Sequence, residues 1–127
     1  MAHAKPRPAS AADPAAILTK ATLEAATRLG LTNKLLATVI GVSEATVSRM
    51  RSGVYRLQRG QKSFELAVLF VRLYRSLDAI VGGDDAVAGV WLENRNTVLD
   101  AEPLALIQTI PGLMNVIQYL DARRAVV

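Results

Sequence analysis

The sequence predicts an all-α fold, a bundle of about seven helices. Apolar residues recur at spacings of three and four positions, and no segment alternates with period two for long enough to form a strand. Capping residues and glycines separate these segments at helix-length intervals. The chain has 127 residues, of which 51% are apolar and 20% are charged, so it has room for one ordinary domain and is not disordered.

The helices can be placed in order from their end signals. Residues 1–12 are rich in Ala and Pro and predict a disordered tail, with a basic arm on DNA phosphates as the alternative. We divide the rest into a unit over 13–60, a long apolar helix over 61–81 and a small helical module over 82–127. Helix starts are predicted at Asp13-Pro14, Thr32, Ser43, Asp84, Pro103 and Pro111, and stops at Gly30, Gly41, Gly53 and Gly82-Gly83.

The composition favours binding functions over catalysis. There is no cysteine, and the one histidine, His3, lies in the N-terminal tail. This excludes thiolate chemistry, histidine-based triads and most metal sites, so we expect no metal and no cofactor. An enzyme is also disfavoured, because acidic pairs such as Asp84/Asp85 and Glu93/Asp100 have no base or phosphate-binding glycine loop beside them.

Charge is distributed unevenly along the chain. Residues 1–77 carry twelve Lys and Arg against four Asp and Glu, a balance of +8, whereas residues 78–127 carry three against seven, a balance of −4. The two halves suggest two different partners, the first a polyanion such as nucleic acid. The longest apolar run, Leu66–Val71, is far too short to cross a membrane and no secretory signal is visible, so we expect a cytoplasmic protein.

The segment 35–50 has the pattern of two short helices joined by a tight turn. Leu36 and Ile40 share one helical face and are predicted to be buried. Gly41 suits the left-handed backbone of a sharp turn, and Ser43 can cap the second helix. Apolar residues three apart hold that helix against the core, so its opposite face points outward.

This pattern resembles the helix-turn-helix of the Xre and phage-repressor family. The resemblance implies that the second helix enters the major groove of operator DNA, where Arg49 is the best candidate for a guanine contact. Glu44 could accept a hydrogen bond from a cytosine amine, or its charge could only stabilise the N-terminus of the helix. The alternative for the whole motif is a helix hairpin that never touches DNA. The matching residues are Leu36-Ala37, Gly41-Val42-Ser43, Thr46-Val47-Ser48-Arg49 and Gly53; the predicted DNA-binding residues are Ser43, Glu44, Ala45, Thr46, Ser48 and Arg49, with Arg51, Arg56 and Arg59 along phosphates.

The segment 64–81 has apolar side chains on nearly every face. A helix of this kind is buried on all sides, which in a chain with mean hydropathy +0.25 indicates contact with a second subunit as well as with the core. We therefore expect a homodimer, which also suits a protein that binds paired DNA half-sites. The alternative is that the segment is only the central core helix.

The region after Asp84 carries a second pattern. Its residues are Trp91-Leu92, Asn96, Leu99, Pro103-Leu104, Thr109, Gly112, Val116 and Leu120. This pattern resembles the toxin-binding domain of Xre/MbcA/ParS-type antitoxins over roughly residues 78–124, downstream of a helix-turn-helix as in that family. The sequence departs from the family in two places, since Leu99-Asp100-Ala101 replaces a glycine-containing turn and Ala125-Val126-Val127 replaces a glycine-containing end.

The second resemblance implies an antitoxin of a type II toxin–antitoxin system. Its partner would be a RES-domain toxin that degrades NAD; the C-terminal region would occlude the toxin active site, and the protein would repress its own operon. The implied toxin contacts are Arg123, Arg124, Val126, Val127 and Trp91. For Trp91 there is an alternative, because a large aromatic side chain is typical of a core residue. Arg123 and Arg124 could instead compensate a helix dipole. The alternative function is a plain Xre-type repressor whose C-terminal helices dimerise or sense a small molecule.

Overall fold

The computed structural model describes residues 13–125, which fold into seven helices and no β-strand. The predicted all-α fold is confirmed. The predicted tail over 1–12 and the pair Val126-Val127 lie outside the described residues. In chain order the helices are α1 (Pro14–Arg28), α2 (Asn33–Ile40), α3 (Glu44–Arg51), α4 (Lys62–Ile80), α5 (Asp85–Glu93), α6 (Pro103–Leu106) and α7 (Ile110–Ala125).

Four of the helices begin at the capping residues that the sequence indicates. The side chains of Asp13, Thr32, Ser43 and Asp84 each accept a backbone N–H from the first turn of the helix that follows, at 3.0 to 3.2 Å. Each cap satisfies one of the donors that a helix start leaves without an intrahelical partner. Local chemistry therefore sets where α1, α2, α3 and α5 begin.

Helix α4 is the central element of the bundle. It packs against α1 and α2 on one side and against α7 on the other. Phe70, Leu73 and Leu77 are fully buried, and each contributes about 1.5–3 kcal/mol by leaving water. Within one chain the burial is not complete, because Val68 is 46% exposed and Ile80 is 41% exposed. The continuous core runs from α1 through α4 to α7.

The junction between α6 and α7 is exceptionally close. Helix α7 begins at Ile110, one residue before the predicted Pro111. The Thr109 hydroxyl accepts the N–H of Gly112 at 3.1 Å. A Cβ added at Gly112 would lie 1.9 Å from the carbonyl oxygen of Leu106, so only glycine permits this approach.

Residues 94–102 connect α5 to α6 through a hydrogen-bonded turn. The Asn96 side chain accepts the N–H groups of Val98 and Leu99 at 2.9 and 3.0 Å, and the backbones of Asn96 and Ala101 form an isolated antiparallel bridge. Asp100 has a φ of 58°, the left-handed region that favours glycine, at the point where the sequence replaces a glycine-containing turn. Across residues 13–125 no helix is long and apolar enough to span a membrane.

Candidate functional site

The two-helix motif is held by a glycine turn and by apolar residues that face α4. Leu36, Ile40 and Val47 are fully buried. Gly41 has a φ of 73°, and its N–H donates to the carbonyl of Ala37 at 2.9 Å. A left-handed residue at this position ends α2 and turns the chain directly into α3. The angle between α2 and α3 is therefore fixed by the turn and by the core beneath it.

The outward face of α3 is polar and accessible. Glu44, Ala45, Ser48 and Arg49 are exposed. Within residues 13–125 no hydrogen bond or ion pair engages the Arg49 guanidinium, although the backbone carbonyl of this residue accepts from Ser52. An unengaged guanidinium beside small polar side chains is the chemistry that binds a guanine edge in a major groove.

Ser43 and Thr46 have a structural task at the start of α3. The Ser43 hydroxyl accepts the N–H of Thr46 at 3.0 Å, and the two hydroxyl oxygens are 2.9 Å apart. Ser43 is exposed, while Thr46 is half-buried. These two predicted DNA-binding residues therefore cap the helix, and each hydroxyl keeps a lone pair or proton for one further contact.

Arg51 links the two-helix motif to α1 at the surface. Its Nε donates to the Asn33 side-chain oxygen at 2.6 Å, and its Nη1 donates to the Thr27 hydroxyl at 3.2 Å. These bonds tie the end of α3 to the start of α2 and the end of α1. Of the predicted phosphate contacts, Arg51 is thus the one whose guanidinium is already engaged by two other helices.

Arg56 and Arg59 lie in the segment that leads from α3 to α4. Arg56 pairs with the Asp13 carboxylate at 2.6 Å, and the same carboxylate caps α1. Arg59 is exposed and lines a surface groove between α1 and α4, of about 580 Å³. The structure therefore places seven of the nine predicted DNA-binding residues on or beside α3, although the Arg51 guanidinium is engaged by α1 and α2, and it places Arg56 and Arg59 in the following segment.

The C-terminal module presents an aromatic stack that ends in an arginine. Trp91 of α5 stacks on Tyr119 of α7, with ring centroids 6.2 Å apart and planes 19° from parallel. The Arg123 guanidinium lies 5.8 Å from the centre of the Tyr119 ring, within range of a cation–π contact. Trp91 is half-buried, so it both joins α5 to α7 and keeps part of its ring at the surface.

Arg124 faces a different side of α7 from Arg123. Its Nη1 donates to the hydroxyl of Ser76 on α4 at 3.1 Å. That hydroxyl donates in turn to the Asp121 carboxylate at 3.0 Å, and the same carboxylate pairs with Arg72. Arg123 and Arg124 therefore hold different neighbours, although the sequence places them side by side.

Comparison with known families decides what this combination of modules is. A family model for the antitoxin Xre-like helix-turn-helix domain matches residues 8–72, more than half of the chain. The chain belongs to this antitoxin family. A second model, for the antitoxin Xre/MbcA/ParS C-terminal toxin-binding domain, matches residues 76–125. The antitoxin thus carries a helix-turn-helix DNA-binding domain followed by a toxin-binding domain, which confirms the predicted resemblance. No curated protein matches the chain.

The two domains of the antitoxin meet inside α4, where the first match ends at residue 72 and the second begins at residue 76. A polar contact also joins them, because Arg28 of α1 lies 3.1 Å from Glu24 and 3.6 Å from Asp85 of α5. The hydrogen bond to Glu24 and the neighbouring negative groups raise the pKa of Arg28. Burial raises the pKa of Tyr74, which the charge of Asp78 reinforces.

Sequence reasoning missed two parts of the antitoxin's surface. Tyr119 carries the contact between Trp91 and Arg123, and its spacing of four from Arg123 was the available signal. The second part is the position of Ile17 of α1 and Ile110 of α7 beside Phe64 and Val68 of α4, where they form an apolar patch; no spacing within one segment indicates that these helices meet. Over residues 13–125 no cluster of His, Asp or Glu could hold a metal ion.

Proposed function

We propose that this antitoxin neutralises a RES-domain, NAD-degrading toxin by placing its C-terminal residues in the toxin active site. The observation that carries the proposal is the toxin-binding domain match, which ends on a helix whose last turn is exposed. Val126 and Val127 would form the occluding segment, and Arg123 and Arg124 would contact the toxin beside it from the last turn of α7. Trp91 would contribute through its accessible ring edge beside Tyr119.

We propose further that the antitoxin represses its own operon in the cytoplasm. Helix α3 would enter the major groove, with Arg49 on a guanine and Ser48 and Glu44 on neighbouring base edges or phosphates. The exposed polar face of α3 and the +8 balance of residues 1–77 support this proposal. Arg51 and Arg56 would contribute by holding the motif rigid, since other side chains already engage both guanidinium groups.

The homodimer would form through the α4 patch, which we define as Ile17, Phe64, Val68 and Ile110. Ile17, Val68 and Ile110 are 53%, 46% and 53% exposed, and Phe64 and Val68 line two adjoining grooves. Isolated exposed apolar side chains are ordinary, but a contiguous patch marks an interaction surface. Arginines border one of these grooves. At the rim of a dimer they would stay in water, where the repulsion between arginines of the two subunits destabilises the dimer only slightly.

Growth rescue tests the neutralisation. The toxin gene of the same operon is expressed alone, with the full antitoxin, and with an antitoxin that lacks Val126-Val127. We expect growth arrest and NAD loss with the toxin alone, rescue by the full chain, and failed rescue by the shortened one. The truncation stops short of Arg124, because the hydrogen bond from Arg124 to Ser76 holds α7 on α4. Arg49→Ala is the control that should still rescue growth.

The neutralisation proposal would be overturned if expression of the neighbouring gene does not stop growth, or if the full antitoxin does not restore growth. The plain repressor would then be the better account. If growth stops while NAD persists, a toxin is present but its chemistry is not that of a RES domain. Rescue by the chain without Val126-Val127 would refute the occluding tail while leaving toxin binding in place.

Binding to the operon's own promoter tests the DNA contact. Arg49→Ala should weaken binding by about tenfold, within the range of about 1–3 kcal/mol for one base contact. Arg95→Ala is the matched control, because Arg95 is an exposed arginine in the other domain and should leave the affinity unchanged. Equal affinities for Arg49→Ala and the unmodified chain would refute the placement of α3.

Light scattering tests the dimer. Val68→Glu places a charge in the centre of the α4 patch and should yield a monomer that keeps its helical content. Val98→Glu adds the same charge at a valine that is 71% exposed in the α5–α6 connection, and this control should remain dimeric. A dimer that survives Val68→Glu would place the interface elsewhere.

A further inference from the structure

We propose that Ser76, Asp121 and Arg124 form an anchor that fixes the last turn of α7 on α4 and so sets the direction in which the chain continues beyond Ala125. The inference rests on the proposed occluding tail, because a segment that enters an active site depends on where it starts. Ser76 is then a positioning residue for toxin inhibition. It is 0% exposed, so a toxin cannot contact it.

The Ser76 hydroxyl at the centre of the anchor has both a donor and an acceptor partner. The Ser76 hydroxyl donates its proton to Asp121 Oδ1 at 3.0 Å and accepts a proton from Arg124 Nη1 at 3.1 Å. The second oxygen of Asp121 pairs with Arg72, one turn before Ser76 on α4. A buried hydroxyl is unfavourable unless it is hydrogen-bonded, and here both its donor and its acceptor are used.

The last turn of a helix is normally its least ordered part. Its final carbonyls lack intrahelical partners, and chain ends fray unless other elements hold them. In α7 the last turn is held from two sides. Arg124 reaches Ser76 on α4, while Arg123 lies over Tyr119, which stacks on Trp91 of α5. The helix is therefore ordered up to the residue that precedes the proposed tail.

The polar anchor adds directional contacts to the apolar packing of α7. The middle of α7 packs through Val116, Ile117 and Leu120, all of which are buried. Hydrogen bonds to a carboxylate and a guanidinium add directional contacts that oppose rotation of the helix about its axis. A tail that leaves a fixed helix end loses less freedom on binding, because its starting point is already ordered.

A double-mutant cycle tests the proposal. Ser76→Ala is made in the full antitoxin and in the antitoxin that lacks Val126-Val127, and the affinity of each chain for the purified toxin is measured by calorimetry. We expect Ser76→Ala to weaken binding about tenfold in the full chain and less than twofold in the shortened chain. Ser63→Ala is the matched control, since Ser63 is a buried serine at the other end of α4 and should change neither affinity.

Hydrogen exchange supplies a readout that needs no toxin. In the free antitoxin, Ser76→Ala should raise the exchange rate of the amides of residues 122–125 about tenfold and leave those of α2 and α3 unchanged. If Ser76→Ala does not fold, Asp121→Asn replaces it in both experiments. Asp121 is only half-buried, and the amide keeps the size of the carboxyl group while removing its charge.

Each outcome bears on one of the two ideas. Equal weakening in the full and shortened chains would mean a general loss of packing and would overturn the positioning role. Unchanged exchange in the last turn would overturn it as well. A truncation that leaves the affinity unchanged refutes the occluding tail, whereas a truncation that weakens binding together with an ineffective Ser76→Ala refutes only the anchor.

Discussion

Gly112→Ala should destabilise the antitoxin, although helix propensity alone predicts the opposite. Gly112 lies in the first turn of α7, and Ala is favoured over Gly in a helix by about 1 kcal/mol. The new methyl group, however, would lie 1.9 Å from the carbonyl oxygen and 2.7 Å from the carbonyl carbon of Leu106, and 2.9 Å from the Thr109 hydroxyl. Two of these atoms are backbone, so a side-chain rotation cannot relieve the clash.

The magnitude follows from what must move. Helix α6 would have to separate from α7, which opens the contact around the buried residues Pro103 and Ile107. Overpacking costs about 1–3 kcal/mol, and partial exposure of one large apolar side chain adds about 1–2 kcal/mol. After the gain in propensity, we expect a net loss of about 3 kcal/mol, a fall in melting temperature of about 10 °C.

Urea unfolding followed by circular dichroism measures this loss. Gly89→Ala is the matched control, because Gly89 lies inside α5 and a Cβ there would meet its nearest neighbour, the Leu29 carbonyl oxygen, at an ordinary 3.5 Å. It should be neutral or stabilising by up to about 1 kcal/mol. A Gly112→Ala chain as stable as the unmodified one would show that the α6–α7 contact is looser than the structure has it.

Three further changes separate structural from functional roles. Arg51→Ala should lower the free energy of unfolding by about 1–2 kcal/mol, because two side-chain hydrogen bonds are lost. Arg49→Ala should change it by less than about 0.5 kcal/mol, and urea unfolding of both variants measures the difference. Asp100→Gly should raise stability by about 0.5 kcal/mol, because the left-handed φ of 58° suits glycine and the ion pair with Arg95 that the change removes is exposed and contributes little; a lower melting temperature would contradict this. Burial raises the pKa of Tyr74 above its usual 10.0, so the unfolded chain releases this proton first and stability should fall as pH rises above about 10. Tyr74→Phe should flatten that fall in melts between pH 9 and 11, and an unchanged profile would assign it to other groups.

Local chemistry made most of the helix boundaries predictable. Caps such as Thr32 and Asp84 and turn residues such as Gly41 act within four residues of their own position, so a single segment contains the whole signal. The exposed face of α3 was predictable for the same reason. Once Val47 and Met50 are recognised as the buried face of an eight-residue helix, the remaining positions must point outward.

Contacts between distant residues were not predictable in this way. Arg51 and Thr27 are 24 positions apart, and Ser76 and Arg124 are 48 apart. A sequence window shows that an arginine is available, but only the packing of three helices decides whether it meets a carboxylate, a hydroxyl or solvent. The prediction that α4 is buried by the core and a second subunit together stays a prediction, since Val68 is exposed to water in one chain.

The meeting of both matched domains inside α4 has a consequence for how such genes can evolve. A recombination event that exchanged the toxin-binding half for another would have to splice two half-helices within residues 72–76. One inserted or deleted residue there turns every later side chain by about 100° about the axis and takes the apolar stripe out of the core. Chimeras joined out of register should fail to fold in both halves. Exchange of the toxin-binding half in this architecture therefore requires a junction that keeps the helical register of α4.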